Sequence, residues 1–330
     1  MKLATLRNGT RDGRLAVVSR DLSRCADASH IAPTMQLALE SWSDCEPRLK
    51  KMAEALEAGS IPATAFIPEQ AMAPLPRAYQ WLDGSAFLNH GRLMQMAFGL
   101  DPISEELPLV YQGASDDFLG PRDPISCISE ADGIDFEGEV GVILDEVPMG
   151  AGPADVLSRV RLIVQINDVS LRAHGPREMK TGFGFVLAKP SSAFAPVAVT
   201  PDELGPAWHD GRVDLPLEVA WNGEWFGSPN GAEMDFSFGD IAAHVLRTRR
   251  LGAGTILGSG TISNRDRKAG SACISERRAI EMAEHGKAST GFMHFGDTVR
   301  MEMRNADGSP LFGAIEQQVV RYTPSNGATP

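Results

Sequence analysis

The chain's apolar residues fall mostly in short runs of strand length between turn-forming residues, and only two stretches keep a helical spacing. Residues 3–8 and 14–19 flank NGTRDG, whose Asn, Asp and Gly favour tight reversals, so a hairpin is expected at the start. Pro33 then opens a helix predicted over 33–58, with Leu37, Leu39, Leu49, Met52 and Leu56 at apolar positions and Gly59 ending it. Pro62, Pro68, Pro74 and Pro76 follow. Proline keeps the residue before it extended, and such a passage suits a surface connection. This places a boundary near residue 75, between a small N-terminal domain (1–75, hairpin plus helix) and a larger one (76–330).

Strand signals dominate the larger part. FEGEVGVIL (136–144) and RLIVQIND (161–168) are apolar runs bounded by turn formers. In LPLEVAWNGEWFG, Asn222-Gly223 sits between two apolar strands, and this pair tolerates the backbone of a two-residue hairpin. Val299, Met301 and Met303 alternate with polar residues ahead of an Asp307-Gly308 turn. A second helix, about 238–250, is expected after Ser237, with Ile241, Val245 and Leu246 on one face. The fold class is α+β and β-rich. No G-x-G-x-x-G follows a strand, so no dinucleotide site is expected.

Composition removes several classes of partner. The net charge is −12, and a short basic run such as Arg247, Arg249 and Arg250 at a predicted helix end is accounted for by solvation, so no nucleic acid is expected. Cys25, Cys45, Cys127 and Cys273 lie far apart without C-x-x-C spacing, which indicates neither a zinc site nor a disulfide framework and suits reduced thiols in a cytoplasm. The first residues lack a signal peptide's apolar core, and no apolar run reaches the ~20 residues that cross a bilayer, so no membrane association is expected.

The chemistry rests on acidic residues. In a strand, Glu137 and Glu139 share one face, opposite Phe136, Val140, Val142 and Leu144. Two such carboxylates repel unless a cation, water or arginine relieves them, and a wet outer sheet face accounts for the pair on its own. Asp168 ends an apolar run with Arg172 four residues later, where a turn or cap role is ordinary. Asp83 precedes His90 by seven residues, in a segment expected to be loop and then helix, where an N-cap and a satisfied imidazole would suffice.

Order along the chain makes these residues more telling together than singly. Asp83-x6-His90, Tyr111-Gln112-Gly113, Glu137-x-Glu139, Asp168-x3-Arg172, Lys189 and Gly260-Thr261-Ile262-Ser263 follow one another in a sequence that resembles the fumarylacetoacetate hydrolase family over roughly residues 80–280. The resemblance implies a mixed β-sandwich roll with a small N-terminal domain, and one divalent cation held by Asp83, Glu137, Glu139 and Asp168. Hard oxygen ligands suit Mg²⁺ or Ca²⁺, with Mn²⁺ also compatible. It further implies a water-activating pair of His90 and Glu276, with Glu281 the alternative partner. Substrate oxygens would meet Tyr111, Arg172, Lys189 and Thr261. The sequence departs from the pattern in three places: Gly175 stands where hydrolases often carry Gln, one residue differs in spacing before Lys189, and the segment leading to Glu276 is one residue longer.

The implied activity is hydrolysis of a carbon–carbon bond in a β-diketo acid, with His90 as general base and Arg172 and Lys189 as donors to developing charge. Fumarylacetoacetate, cleaved to fumarate and acetoacetate as in tyrosine and homogentisate catabolism, is the first substrate. An acylpyruvate hydrolase, or a hydratase, isomerase or decarboxylase of aromatic catabolism, is the alternative on the same fold. A catalytically silent metal-binding protein is the alternative from another class, and His90 with Glu276 speaks against it because a structural cation needs no general base. The expected partner is a small diketo acid as substrate, no organic cofactor is expected, and the resemblance implies a homodimer.

Overall fold

Side-chain alternation in two central strands sets the layers of the molecule. In the computed structural model, which describes residues 1–99, 101 and 104–324, Gly138–Leu144 and Val160–Asn167 pair antiparallel, with Ile166 opposite Glu139. Val140, Val142 and Leu144 point to one face; Ile143, Leu162, Val164 and Ile166 point to the other. A second sheet covers the first face. It runs Glu224–Gly227, Leu217–Trp221, Thr298–Met303, Ile315–Arg321, Ile125–Cys127, and its Leu217, Val219, Met301, Met303 and Val319 complete that core. The opposite face lies under helices Met35–Glu40 and Trp42–Glu57, through Met35, Leu39, Trp42, Leu49 and Leu56. The result is the expected sheet-rich α+β fold.

The larger sheet is continuous across the small N-terminal domain. Its order is Thr64–Ala65, Arg24–Asp27, Arg14–Val18, Lys2–Leu6, Ala198–Val199, Val160–Asn167, Gly138–Leu144, Ile256–Gly258, Trp81–Ser85, Leu109–Gln112. The N-terminal hairpin forms as predicted, with Lys2 opposite Val18 and Leu6 opposite Arg14. The Asn222-Gly223 hairpin does too, with φ of 53° and 81° at its two turn residues.

Three expectations change. The single helix over 33–58 is two, broken at Ser41 (φ −129°, ψ 39°). Pro47 lies inside the second helix and has no amide hydrogen to give the Ser43 carbonyl four residues back. The helix predicted over 238–250 ends at Val245, because Leu251 exchanges backbone hydrogen bonds with Val147 and draws the chain away. Asp83 lies in no loop: Trp81–Ser85 is an inner strand, parallel to Ile256–Gly258 and antiparallel to Leu109–Gln112. Two further helices, Leu88–Phe98 and Ile274–His285, pack against each other and carry His90 and Glu276.

Candidate active site

Strand register brings the acidic residues to one end of the large sheet. Asp83 pairs with Gly258 on one side and Tyr111 on the other; Glu139 lies one strand further, and Asp168 directly follows Val160–Asn167. Glu139 and Asp168 are fully buried, and Asp83 and Glu137 nearly so. The wet-face explanation of the glutamate pair therefore fails, and so does the cap explanation of Asp83. The turn at Gly260 closes the site. Its φ is +74°, a Cβ there would come within 2.4 Å of the Gly84 carbonyl oxygen, and its N–H donates to Asp83 Oδ1 at 3.0 Å.

Oxygens of Asp83, Glu139 and Asp168 lie within 4.8 Å of one another. Burial, reinforced by Asp168, pushes the Asp83 carboxyl up to about 8, and burial with Asp83 and Asp168 beside it raises Glu139 well above the carboxylate range. No described protein group donates to either Glu139 oxygen. A buried carboxylate without a partner costs several kcal/mol, a large share of the ~5–15 kcal/mol by which a domain is stable. Such a group must hold a proton or face a cation. The residues fit a divalent cation: three converging hard donors, one wholly unpartnered, suit Mg²⁺, Ca²⁺ or Mn²⁺.

Glu137 stands differently from the other three candidate ligands. Its Oε1 accepts from Arg172 Nη2 and its Oε2 from Lys189 Nζ, both at 2.5 Å. Burial would raise its pKa, but Lys189 and Arg172 outweigh that and hold it ionised. Lys189 also donates to Asp168 Oδ2 (2.6 Å), whose oxygens take further hydrogen bonds from the Tyr111 hydroxyl (2.5 Å) and Ser192 Oγ (2.6 Å). Burial lowers the lysine's own pKa, yet Asp168 and Glu137 more than reverse it. Burial and Asp168 keep Tyr111 a neutral phenol, and so a donor. Thr261 is buried and lines a cavity together with Asp83, Glu137, Tyr111, Arg172 and Lys189.

The helices Leu88–Phe98, expected around His90, and Ile274–His285, not foreseen, bring the predicted base and its partner together. His90 Nδ1 lies 2.9 Å from Glu276 Oε2, and Glu276 is 1% exposed. Glu281 is elsewhere, its carboxylate accepting from Ser289, Thr290 N and the Thr290 hydroxyl. A nitrogen of His90, an oxygen of Glu137 and Cys273 Sγ lie within 4.8 Å of one another, so the pair adjoins the carboxylates. Asp135 fixes this geometry. Its Oδ1 accepts from Ile274 N (2.8 Å) and its Oδ2 from Ser275 N (2.9 Å) and Arg172 Nε (2.8 Å). One fully buried carboxylate thus ties the helix bearing Glu276 to the guanidinium beside Glu137. Asp135→Asn keeps the shape but weakens all three bonds, and kcat should fall about tenfold or more with Tm lowered. Wild-type kcat and Tm would remove this role.

Two family models match the chain: the C-terminal fumarylacetoacetate (FAA) hydrolase domain over residues 80–320, and fumarylacetoacetase N-terminal domain 2 over residues 1–77. The chain belongs to the fumarylacetoacetate hydrolase family. A 2,4-didehydro-3-deoxy-L-rhamnonate hydrolase from Sphingomonas sp. (strain SKA58) is 28% identical over 163 residues, 48% of this chain and 54% of that protein. The chain spans about half the length of the curated relatives it matches. Maleylpyruvate hydrolase from Sphingobium sp. SYK-6, in complex with manganese(II) and pyruvate, shares the fold with a TM-score of 0.65 at 17% identity, over 98% of this chain and 100% of that one. A 5-carboxymethyl-2-hydroxymuconate delta-isomerase from Mycobacterium smegmatis gives 0.61 at 15% identity, with the same coverage.

Sequence reasoning missed several residues that this family member places at the site. Asp135 was legible in principle: it precedes Glu137 by two, so Asp135, Glu137 and Glu139 share one face of an extended segment. Cys273 caps Ile274–His285, its Sγ accepting from Glu276 N at 3.3 Å, a position where Ser, Thr or Asp is usual. Ser192 and Phe185, which packs edge-on against Tyr111, carried no local signal. Gly175, the departure from the hydrolase pattern, lines the cavity, and a Cβ there would meet nothing within 4 Å.

Proposed function

We propose that this protein hydrolyses a carbon–carbon bond of a β-diketo acid with a divalent cation held by Asp83, Glu139 and Asp168, and Glu137 beside them. The observation that carries this reading is the His90–Glu276 pair, because its His90 lines the same cavity as Asp83 and Glu137. A bound cation supplies Lewis acidity to the diketone oxygens. His90, giving its Nδ1 hydrogen to Glu276, keeps Nε2 free to accept a proton from the attacking water. Glu276 orients the ring and stabilises the imidazolium that forms. Arg172 and Lys189 are the charged donors for the substrate carboxylate and for charge arising at the attacked carbonyl.

Fumarylacetoacetate is the substrate that the sequence resemblance puts first. The relatives named for maleylpyruvate and for 2,4-didehydro-3-deoxy-L-rhamnonate support the alternative, a 2,4-dioxo acid of the acylpyruvate kind. The isomerase neighbour supports proton transfer without water on this fold; that chemistry requires no base aimed at water, so the buried pair favours hydrolysis. The direct test follows loss of the enol absorbance of fumarylacetoacetate and several acylpyruvates, with and without Mg²⁺ or Mn²⁺. Stable absorbance throughout would remove the hydrolase reading.

Arg172→Ala and Lys189→Ala should each lower kcat/KM about ten- to a hundredfold, since a hydrogen bond to a charged group is worth ~1.5–3 kcal/mol. Lys189→Ala should also lower Tm, because Glu137 and Asp168 then face each other without the ammonium between them. Unchanged kcat/KM would remove both from substrate recognition.

A further inference from the structure

The cavity is polar at its floor and apolar at its mouth. It measures about 360 Å³. Asp83, Glu137, Lys189 and Thr261 line its buried end. The apolar side chains Met94, Leu109, Val110, Leu171, Met179 and Phe185 are half-buried or exposed, and His90, Tyr111 and Arg172 are half-buried between them and that end. Met94 lies one turn past His90 on Leu88–Phe98, so the helix that carries the base also presents thioether toward the entrance. Ser85, Gln95 and Ser170 add neutral polar groups to the lining.

Cationic charge is confined to the surroundings of Glu137. Among the described residues lining the cavity, the permanent cations are Arg172 and Lys189. Both are already committed, Arg172 to Asp135 and Glu137, Lys189 to Glu137 and Asp168. They can serve one carboxylate, the one beside the dioxo group that must lie at the floor. A second carboxylate at the far end of the acyl chain would lie against Met94, Leu109, Met179 and Phe185, giving up part of its hydration with no lining cation to meet it.

Resting on the hydrolase reading, we infer that the substrate is an acylpyruvate with an apolar alkyl or aryl acyl group, not one ending in a second carboxylate as fumaryl and maleyl groups do. The reaction balances as R–CO–CH2–CO–COO⁻ plus water giving R–COO⁻, pyruvate and one proton. Water oxygen bonds to the acyl carbonyl carbon, and the bond from that carbon to the CH2 breaks. Its electron pair stays on the CH2 carbon, which takes a proton to become the pyruvate methyl.

The test compares kcat/KM of the Mn²⁺-loaded protein on straight-chain acylpyruvates of increasing length and benzoylpyruvate with that on maleylpyruvate, fumarylpyruvate and fumarylacetoacetate. The apolar set should be cleaved at least about tenfold better and improve with each added methylene, as expected of an apolar pocket. Met179→Arg, which places a cation at the mouth, should raise kcat/KM on maleylpyruvate about tenfold and lower it on the longest alkyl substrate. Equal or faster cleavage of the dicarboxylic set by the unaltered protein would overturn this inference while leaving the hydrolase reading intact. Cleavage of neither set would overturn both.

Discussion

His90→Ala and Glu276→Gln are each expected to reduce kcat by about 10²–10⁴-fold while changing KM little, because a positioned general base contributes that much and does its work only as water attacks. Glu276→Gln is the more informative change. It keeps the side chain's length within the helix Ile274–His285 but removes the negative charge 2.9 Å from His90 Nδ1. The amide no longer stabilises an imidazolium and can donate to Nδ1, which favours the wrong tautomer. Steady-state kinetics on a cleaved diketo acid, with metal content measured alongside, gives the result. Metal content should match the unaltered protein in both variants. Wild-type kcat in both would sink the water-activating pair and leave an isomerase or decarboxylase as the better account of the site.

Removing the divalent cation should abolish activity altogether, and Mg²⁺ or Mn²⁺ should restore it. Six buried or nearly buried carboxyls, on Asp83, Asp135, Glu137, Glu139, Asp168 and Glu276, face the two permanent cations Arg172 and Lys189. A cation that binds only the folded protein stabilises it by ~2.7 kcal/mol at a hundred times its Kd, so Tm should rise by several degrees on its addition. Glu139→Gln should lose both the activity and the rise. Protons compete for the same oxygens. Folding raises Asp83 from 3.8 to about 8 and Glu139 in the same direction, so the metal-free folded chain binds more protons than the unfolded one between those values. Its stability therefore falls as pH rises through that window, while cation affinity rises. Calorimetric titration at pH 6 and pH 8 measures the second effect. Full activity after exhaustive dialysis against EDTA would dispose of the cation site.

Local rules carried much of the architecture. The hairpins at Lys2–Leu6/Arg14–Val18 and Leu217–Trp221/Glu224–Gly227 were legible because turn chemistry and apolar alternation act over a few residues. The shared face of Glu137 and Glu139 was legible for the same reason. A helix was expected around His90 without its bounds, and the helix Ile274–His285 was not foreseen. Much of what holds the two lies far away in sequence: Asp235 accepts from Leu88 N, and Asp135 from Ile274 N.

The sequence by itself determined a β-rich chain, the acidic residues and their order, and through that order the fumarylacetoacetate hydrolase family. Only the tertiary structure decided what these residues do to one another. Burial turned a glutamate pair that a wet face would explain into one carboxylate with no donor and one gripped by Arg172 and Lys189. It also placed His90 against Glu276, 186 residues away, and spread an apolar mouth above a charged floor. The reason is physical. Alternation and turn preference are set by neighbours along the chain, whereas desolvation and charge pairing depend on what the fold packs within a few ångströms.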